Sequence, residues 1–273
     1  QLYEMTTLVQ QTFPGFYEAL LDSSIATLKQ YEPEDAPYWG CFSGGKDSCV
    51  IKHLAGLAGV NVEWHYSVTT IDPPELVQFI KRQHPDVVRD RPQRSFYRAL
   101  QTRGLPTRRA RWCCEAYKES KAPKERRIIL GVRAAESPRR AANWQTLTFH
   151  RRTKKYAVLP ILHWRDDDVW RFIREHNLPY CKLYDEGFKR IGCVGCPMAG
   201  ARARARDFAR WPAMAQQWYR GGKIFWERRK AEGTDTRSYR EFATFEDFWN
   251  WWKSDKPISG ANSDCQGQLE FWA

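Results

Sequence analysis

The sequence predicts an α/β protein: a mainly parallel, twisted sheet with flanking helices, followed by a helical C-terminal appendage. Strand-like and helix-like segments alternate between residues 38 and 176, which is the pattern of βαβ units. A glycine-rich turn separates the first strand from the first helix of this pattern. Beyond about residue 200 the composition changes: the segments there are basic and rich in tryptophan, and their apolar residues have helical spacing.

The individual elements follow from apolar spacing. Short apolar runs predict strands at 38–42, 62–68, 87–88 and 128–132, and one-sided apolar spacing predicts helices at 47–58, 73–84 and 166–176. An amphipathic helix is expected over 14–31, ahead of the sheet. The C-terminal region is predicted as helices over 203–230 and 242–253. The tryptophans there are expected in the core: Trp211, Trp218, Trp249 and Trp252.

Composition narrows the class of protein. The 273 residues include 44 Lys and Arg against 32 Asp and Glu, a formal net charge of +12. Mean hydropathy is −0.68, and no stretch approaches the roughly 20 consecutive apolar residues of a membrane helix. We therefore expect no transmembrane protein and, with aromatic residues at 14%, no wholesale disorder. The positive charge indicates an anionic partner, either a nucleotide or a nucleic acid.

The most informative segment is Gly-Cys-Phe-Ser-Gly-Gly-Lys-Asp-Ser at 40–48, where a buried strand turns into a helix. Amide groups at such a helix start bind anions, and Gly44 and Gly45 allow a phosphate to approach the backbone. Ser43 and Ser48 add hydroxyl groups, and Lys46 adds a charge. The sequence therefore predicts a phosphate-binding loop.

This loop differs from a Walker A motif. Gly40, Gly45 and Lys46 have Walker A spacing, but Asp47 stands where that motif needs Ser or Thr for magnesium. The mismatch argues against transfer of a terminal phosphate. The segment SGGKDS instead resembles the signature of the PP-loop adenine-nucleotide enzymes, which implies chemistry at the α-phosphate or its substituent.

Eight cysteines are present, and four of them form two close pairs: Cys113 with Cys114, and Cys193 with Cys196. Such spacing is typical of metal ligands in a reducing compartment, so we expect a cytoplasmic protein without a disulfide framework. Four thiolates converging from two loops bind zinc or an iron–sulfur cluster. Adjacent cysteines and the Pro197 that follows Cys196 favour a cluster, with zinc as the alternative.

Over residues 38–200 the chain resembles the phosphoadenosine-phosphosulfate (PAPS) reductase family of PP-loop proteins. The resemblance rests on CFSGGKDS at 41–48, TTIDPPEL at 69–76, RWCCEAYKE at 111–119, GVRAAESPRR at 131–140 and LYDEGFKRIGCVGCP at 183–197. The family includes sulfonucleotide reductases and the sulfurtransferases of DNA phosphorothioation. It implies a PP-loop, adenine nucleotide alpha-hydrolase-like fold.

The resemblance also implies residue roles. The expected ligand is an adenine nucleotide: ATP, adenosine phosphosulfate (APS) or PAPS, with Mg²⁺ as a further candidate. The residues expected to bind it are Ser43, Gly44, Gly45, Lys46, Asp47, Ser48, Thr70, Asp72, Gly131 and Arg133. A 4Fe-4S cluster is expected on Cys113, Cys114, Cys193 and Cys196. Lys46, Asp47, Arg133 and Cys265 are the catalytic candidates. The expected domains are a helical cover at 1–37, a PP-loop domain carrying the iron–sulfur site at 38–200, and a basic, Trp-rich region at 201–273.

The chain departs from the reductase pattern near its C-terminus. The sulfonucleotide reductases that this chain resembles carry a nucleophilic Cys in a Glu-Cys-Gly-(Leu/Ile)-His motif. This chain has Ser-Asp-Cys265-Gln-Gly-Gln-Leu instead. A thiol nucleophile needs a lowered pKa or a neighbouring base, and no nearby His supplies one. The sequence thus slightly favours ATP-dependent activation, with pyrophosphate release and sulfur transfer. Reduction of APS or PAPS to sulfite by Cys265, and a non-catalytic nucleic-acid-binding subunit, are the alternatives.

Two basic segments bear on partners. Eight arginines and one acid, Asp90, lie between residues 89 and 111, and nine basic residues lie between 202 and 230 beside Trp211, Trp218 and Trp226. Such stripes fit tRNA or DNA backbones, and they also fit an acidic partner protein. Arg108, Arg109 and Arg111 are alternatively suited to a polyanionic small substrate. A sulfur- or electron-donor protein is a further expected partner.

Overall fold

The computed structural model describes residues 15–119, 121–150, 154–233, 242–254 and 256, and it divides the chain into two compact units. Unit 1 comprises Gln1–Ser67, Pro74–Asp90 and Ala122–Ile191. Unit 2 comprises Val68–Pro73, Arg91–Lys121 and Gly192–Ala273.

Six strands form one sheet in unit 1: β1 (Tyr38–Cys41), β2 (Val62–Ser67), β3 (Val88–Asp90), β4 (Ile128–Ile129), β5 (Leu147–His150) and β6 (Lys155–Val158). Their order is β3-β2-β1-β4-β6-β5. All neighbours pair in parallel except β5, which runs antiparallel to β6 at the edge. The prediction of a mainly parallel α/β sheet is therefore confirmed.

The helices, in chain order, are α1 (Phe16–Gln30), α2 (Lys46–Ala58), α3 (Pro74–Gln83), α4 (Phe96–Arg103), α5 (Pro138–Asn143), α6 (Asp166–Glu175), α7 (Ala201–Arg210), α8 (Pro212–Ala231) and α9 (Phe245–Ser254). A single helical turn, Trp112–Cys114, continues as a π-helix over Glu115–Glu119.

Strand order places β1 at the switch point of the sheet. The chain runs outward from β1 to β2 and β3 on one side, and β4 lies on the other side. Open parallel sheets bind ligands at the carboxyl end of the strands beside such a point. The segment that follows Cys41, and that starts α2 at Lys46, lies at this position.

Unit 2 is built around an aromatic core. Phe96 and Trp218 are fully buried, with ring centroids 4.6 Å apart, and Trp249 stacks on Trp252 at 5.2 Å. Trp211 is also buried, so all four tryptophans named from the sequence lie in the interior. The large apolar area of these rings explains how the short helices of unit 2 form a stable core.

The structure differs from the predicted elements in the C-terminal region and at the sheet edge, and the short helices α4 and α5 were not predicted. The helix expected over 203–230 is two helices, because Pro212 has no backbone N–H to continue α7 and instead occupies the first turn of α8. The hairpin of β5 and β6 was not predicted, since its strands are short and mix Lys, His and Thr with apolar residues.

Candidate functional site

The phosphate-loop candidate lies where β1 passes into α2, as the sequence predicts. Gly44 has φ +73°, and a Cβ there would lie 2.8 Å from side-chain carbons of Leu76 and Ile80. Only glycine fits this position without strain. The Ser48 hydroxyl donates to the Gly45 carbonyl at 2.8 Å, and the Ser43 hydroxyl donates to Ser48 at 3.2 Å. The turn is therefore held by its own glycines and serines.

One amide at the start of α2 has a side-chain acceptor. The backbone N–H of Lys46 donates to the Tyr184 hydroxyl at 2.9 Å. Burial raises the pKa of Tyr184 well above its usual value, so this phenol stays neutral at physiological pH. Tyr184 lies in the LYDEGF stretch quoted above, but its contact with the loop was not predicted.

Two buried cations and two carboxylates form a closed network beside the loop. Lys46 Nζ lies 3.2 Å from Asp47 Oδ2 and 3.0 Å from Asp166 Oδ1. Arg133 reaches the same two acids, with Nε 2.6 Å from Asp47 Oδ1 and Nη2 2.9 Å from Asp166 Oδ1. Lys46 and Arg133 are each only 4% exposed. Such buried charges persist because each cation contacts both carboxylates.

The network shifts the pKa values of Asp166 and Arg133. Burial alone would raise the pKa of Asp166, but the hydrogen bond and charge of Lys46, with those of Arg133, lower it below its usual value. Arg133 shows the same balance: burial opposes its charge, and Asp47, Glu136 and Asp166 together raise its pKa. Asp166 and Arg133 are therefore ionised near neutral pH.

The second predicted segment of the nucleotide site also reaches this network. Gly131 lies against Asp47, since a Cβ there would be 3.2 Å from the Asp47 backbone. The backbone N–H of Arg133 donates to Glu136 Oε2 at 3.2 Å, and Arg140 pairs with the same carboxylate. The structure thus brings Gly131, Arg133 and the loop together, and their role in nucleotide binding stays a prediction. Asp166 was predicted only as part of a helix start, so its pairing with Lys46 is new.

The four predicted metal ligands all lie in unit 2. Cys113 and Cys114 are in the short helical turn, and Cys193 and Cys196 flank a tight turn. That turn requires Gly195, which has φ +74° and whose Cβ would lie 2.5 Å from the Phe208 ring. A hydrogen bond with Cys114, followed by burial, raises the pKa of Cys113, and the charges of Cys193 and Cys196 add to the rise. The two pairs are therefore close enough to interact electrostatically.

Polar groups surround Cys193. Its sulfur lies 3.7 Å from Thr69 Oγ1 and 3.8 Å from Asp72 Oδ1, within hydrogen-bond distance of both. Burial raises the pKa of Cys193 to about 12, while Lys118 opposes that rise. The charge of Cys193 in turn raises the pKa of Lys118. Lys118 and Thr69 were not singled out from the sequence, although both lie in the quoted family stretches.

Within the described ranges, no group of three or more His, Cys, Asp or Glu side chains is arranged to bind a metal ion. A single zinc ion with four thiolates needs its sulfur atoms about 3.8 Å apart, given Zn–S bonds of about 2.3 Å. A four-iron cluster binds its four thiolates at separate corners and so needs them farther apart. The all-thiol donor set fits a cluster in kind, and the thiols do not form a ready-made site for one ion.

Two residues predicted to bind the nucleotide lie in unit 2. Thr70 and Asp72 belong to unit 2, where Thr70 Oγ1 accepts the Phe96 N–H at 2.8 Å and Asp72 accepts the Thr69 N–H at 3.1 Å. Their role in nucleotide binding stays a prediction. Cys265 lies outside the described residues.

Loop 43–48 is held by its own glycines and serines and lies at the switch point of a parallel sheet. This arrangement is typical of nucleotide-binding α/β proteins of the PP-loop class. The model of the phosphoadenosine phosphosulfate reductase domain matches residues 37–199, and the chain belongs to that family. The prediction of a PP-loop enzyme of this family is confirmed. No helix in the described part of the chain is long and apolar enough to cross a membrane.

Sequence relatives fall into two groups. Two uncharacterized proteins of Methanocaldococcus jannaschii, MJ0973 and MJ0066, are 28% and 30% identical over 86% and 80% of this chain. The chain spans about half the length of these two, 57% and 48%. The adenosine 5'-phosphosulfate reductase of Bacillus mycoides is 26% identical over 69% of this chain and 84% of its own.

A solved structure has the same fold. The phosphoadenylyl-sulfate (PAPS) reductase of Candida auris aligns with a TM-score of 0.50 at 16% identity, covering 66% of this chain and 95% of its own. At that identity the likeness extends to the fold alone.

Proposed function

We propose that this chain is a sulfonucleotide reductase that binds APS or PAPS through loop 43–48 and releases sulfite. One observation carries the proposal: two buried cations, Lys46 and Arg133, lie beside the loop that follows β1. The choice of substrate is supported by relatives named as APS reductases, one of which aligns over 84% of its length.

The loop's chemistry suits a reaction at the group attached to the α-phosphate. A thiolate attacks the sulfur of the bound phosphosulfate, the S–O bond to the nucleotide breaks, and AMP (or its 3′-phosphate) leaves with the electron pair. Lys46 and Arg133 then stabilise the negative charge that develops on the departing phosphate. The protein-bound S-sulfonate is released as sulfite when a dithiol donor is oxidised to its disulfide. Such a donor is the electron-donating partner that the proposal requires.

The attacking thiol in this proposal is Cys265, which follows the matched family domain at 37–199 in the sequence. The missing Gly and His after it mean that the thiol would be activated by a group other than a sequence neighbour.

The proposal includes a 4Fe-4S cluster on Cys113, Cys114, Cys193 and Cys196, with zinc as the alternative. A bound cluster supplies an electron-carrying group whose potential depends on hydrogen bonds to its sulfur atoms. Thr69, Asp72 and Lys118 are the groups of this chain that would tune it, given their interactions with Cys193. We expect iron and absorbance near 400 nm after anaerobic purification. Cys193→Ser should lose the iron, whereas Cys181→Ser, which removes a buried thiol of unit 1, should retain it.

Activity is tested by sulfite release from APS and from PAPS with a dithiol donor. We expect sulfite from at least one of them, and its loss in Lys46→Ala and in Cys265→Ser. Release that persists in Cys265→Ser would overturn the role of that thiol. No sulfite from either nucleotide, with a folded and metal-loaded protein, would contradict the reductase proposal.

ATP-dependent sulfur transfer is the second candidate, and two observations favour it. Cys265 lacks the reductase motif, and Asp47 and Asp166 place carboxylates at the loop, which suit the Mg²⁺ that accompanies ATP. In this reaction an acceptor oxygen attacks the α-phosphorus and pyrophosphate leaves. A donor sulfide then attacks the adenylated atom of the acceptor and displaces AMP, which leaves the sulfur on the acceptor. A donor persulfide does the same through a disulfide with the acceptor, which a second donor thiol then cleaves as it forms a disulfide with the donor.

Its test is pyrophosphate release from ATP that depends on an added acceptor such as tRNA or DNA. Such release, without sulfite from APS or PAPS, would replace the reductase proposal with this one. Nucleotide binding with no turnover in either assay would instead support a non-catalytic nucleic-acid-binding subunit.

A further inference from the structure

A basic cavity in unit 2 is not used by the proposed function. It has a volume of about 380 Å³ and lies between α4 and the π-helix at Glu115–Glu119. Arg94, Arg103 and Lys121 line it, together with Thr102 and Tyr117. Its size falls in the range of small-molecule and phosphate-group sites.

The described residues that line this cavity include three cations. No acidic side chain is among its described lining residues, and in the described ranges no ion pair joins Arg94, Arg103 or Lys121 to a carboxylate. Like charges around one concave surface repel each other, and a bound anion relieves that repulsion. This arrangement contrasts with the loop in unit 1, where Lys46 and Arg133 are already paired with Asp47 and Asp166.

The walls of the cavity are held in place by unit 2 itself. The Tyr117 hydroxyl donates to the Arg94 carbonyl at 3.0 Å, which ties the π-helix to the segment before α4. Arg103 lies over the Trp112 ring at 5.4 Å, and Trp112 stacks on the buried Phe96. Arg228 of α8 donates to the Thr102 carbonyl at 3.1 Å. The Arg94 backbone and the Arg103 side chain are therefore held by packing within unit 2, which lowers the entropy lost when an anion binds.

The wall formed by the π-helix is continuous in sequence with a cysteine pair. Ala116 and Tyr117 line the cavity and follow Cys113 and Cys114 after one residue. An anion bound here would lie next to the segment that carries these cysteines.

We propose that this cavity is a second phosphate-binding site, separate from loop 43–48, which holds a phosphate group of a partner molecule beside the cysteine segment. Guanidinium groups favour phosphate because their donors match two of its oxygens at once. The group belongs either to a free phosphate compound or to the backbone of a nucleic acid. The inference does not depend on which reaction loop 43–48 performs.

The test measures anion binding in the Lys46→Ala background, which disables the loop in unit 1. The probes are inorganic pyrophosphate and a single-stranded oligonucleotide, each titrated by calorimetry at low and moderate salt. Arg94→Gln, Arg103→Gln and Lys121→Gln are compared with the matched controls Arg91→Gln and Arg98→Gln, exposed residues outside the cavity lining.

We expect each cavity substitution to weaken binding about tenfold, the effect of losing one charge-assisted hydrogen bond, and each control to change it far less. Arg103→Lys should restore part of the affinity because it keeps the charge. An effect on pyrophosphate identifies a small phosphate compound, and an effect on the oligonucleotide alone identifies a nucleic-acid backbone.

Equal affinities for the cavity variants and the controls, with both probes and with native circular dichroism, would overturn the second site. Failure of the reductase assay leaves this result unaffected, because these titrations involve no turnover.

Discussion

Asp166 is the residue that most sharply separates the two candidate reactions. Its carboxylate pairs with Lys46 and Arg133, yet its side chain is 58% exposed and therefore open to replacement by a ligand. A phosphosulfate nucleotide without metal would compete with this carboxylate for the two cations. Mg²⁺-ATP would instead recruit it as a metal ligand.

Asp166→Asn should therefore tighten binding of APS or PAPS by about threefold to tenfold in the absence of metal, because one repelling charge is removed. Calorimetric titration of each nucleotide measures the change. Asp167→Asn, an exposed neighbour in the same helical turn, is the control and should have little effect. Weaker binding of Mg²⁺-ATP in Asp166→Asn, with no gain for APS, would favour sulfur transfer.

Gly44 is the second residue at which the described turn can be tested, because only glycine fits its positive φ without strain. Gly44→Ala must place a Cβ at positive φ and within 2.8 Å of Leu76 and Ile80, so we expect a loss of about 1–3 kcal/mol in the free energy of unfolding. Urea denaturation measures it. Gly56→Ala is the matched control: it lies in α2 with no atom within 4 Å of its Cβ, and it should be neutral or stabilising. An unchanged stability of Gly44→Ala would contradict the described turn.

At the scale of elements, α2 and the end of α3 meet around His84. The His84 ring packs 4.6 Å from the Phe42 ring and 5.2 Å from the Phe79 ring, and Lys52 of α2 lies 3.3 Å from its Nδ1. Burial, with the nearby charge of Lys52, lowers the pKa of His84 from 6.5 to about 4. The folded protein therefore holds this ring neutral.

Because the pKa of His84 is lower in the folded than in the unfolded chain, its contribution to stability is fully present above pH 6.5 and is lost as the pH falls towards 4. We expect the free energy of unfolding to fall by up to about 3 kcal/mol across that interval from this group. His84→Gln should flatten the profile there, as measured by denaturation at successive pH values. A profile identical to that of the parent would show that His84 is not buried in its neutral form.

Helices and strands with strong apolar patterns could be predicted from the sequence, and those without such patterns could not. Strands β1 and β2 and helices α2, α3 and α6 have strong apolar patterns and were predicted within one or two residues. The β5–β6 hairpin lies at the sheet edge with Phe149 and Tyr156 about half exposed, so it lacks the buried apolar run that identifies a strand. The short α4 was missed because its eight residues contain two arginines and only a brief apolar stripe.

The same distinction holds for the candidate site. The loop could be predicted because all its members lie within nine consecutive residues. Asp166 and Tyr184 could not, because they are brought to Lys46 from more than 100 residues away, and nothing in their local sequence marks that contact. The cysteine pairs were recognisable from spacing, whereas Thr69 and Lys118 gain their importance from position next to Cys193.

At the scale of the whole molecule, the two compact units are not continuous in sequence. Unit 2 takes Val68–Pro73 and Arg91–Lys121 from within the stretch that contains most of the sheet. The expected domains at 1–37, 38–200 and 201–273 assume continuous segments, and their boundaries stay a prediction. The net positive charge is concentrated in the sequence of unit 2, which has 22 of the 44 basic residues but only 13 of the 32 acidic ones. The anionic partner inferred from the net charge is therefore best sought on unit 2.

The proposed function depends on the binding of an adenine nucleotide by loop 43–48, and one titration tests that binding directly. APS, PAPS and ATP are titrated into the parent chain, Lys46→Ala and Lys52→Ala, the last being a lysine of the same helix that pairs with Asp86 instead. We predict that Lys46→Ala weakens binding of at least one nucleotide by tenfold or more, while Lys52→Ala leaves it within about twofold. Equal affinities for the two variants, or no binding of any of the three nucleotides to the parent chain, would contradict the account.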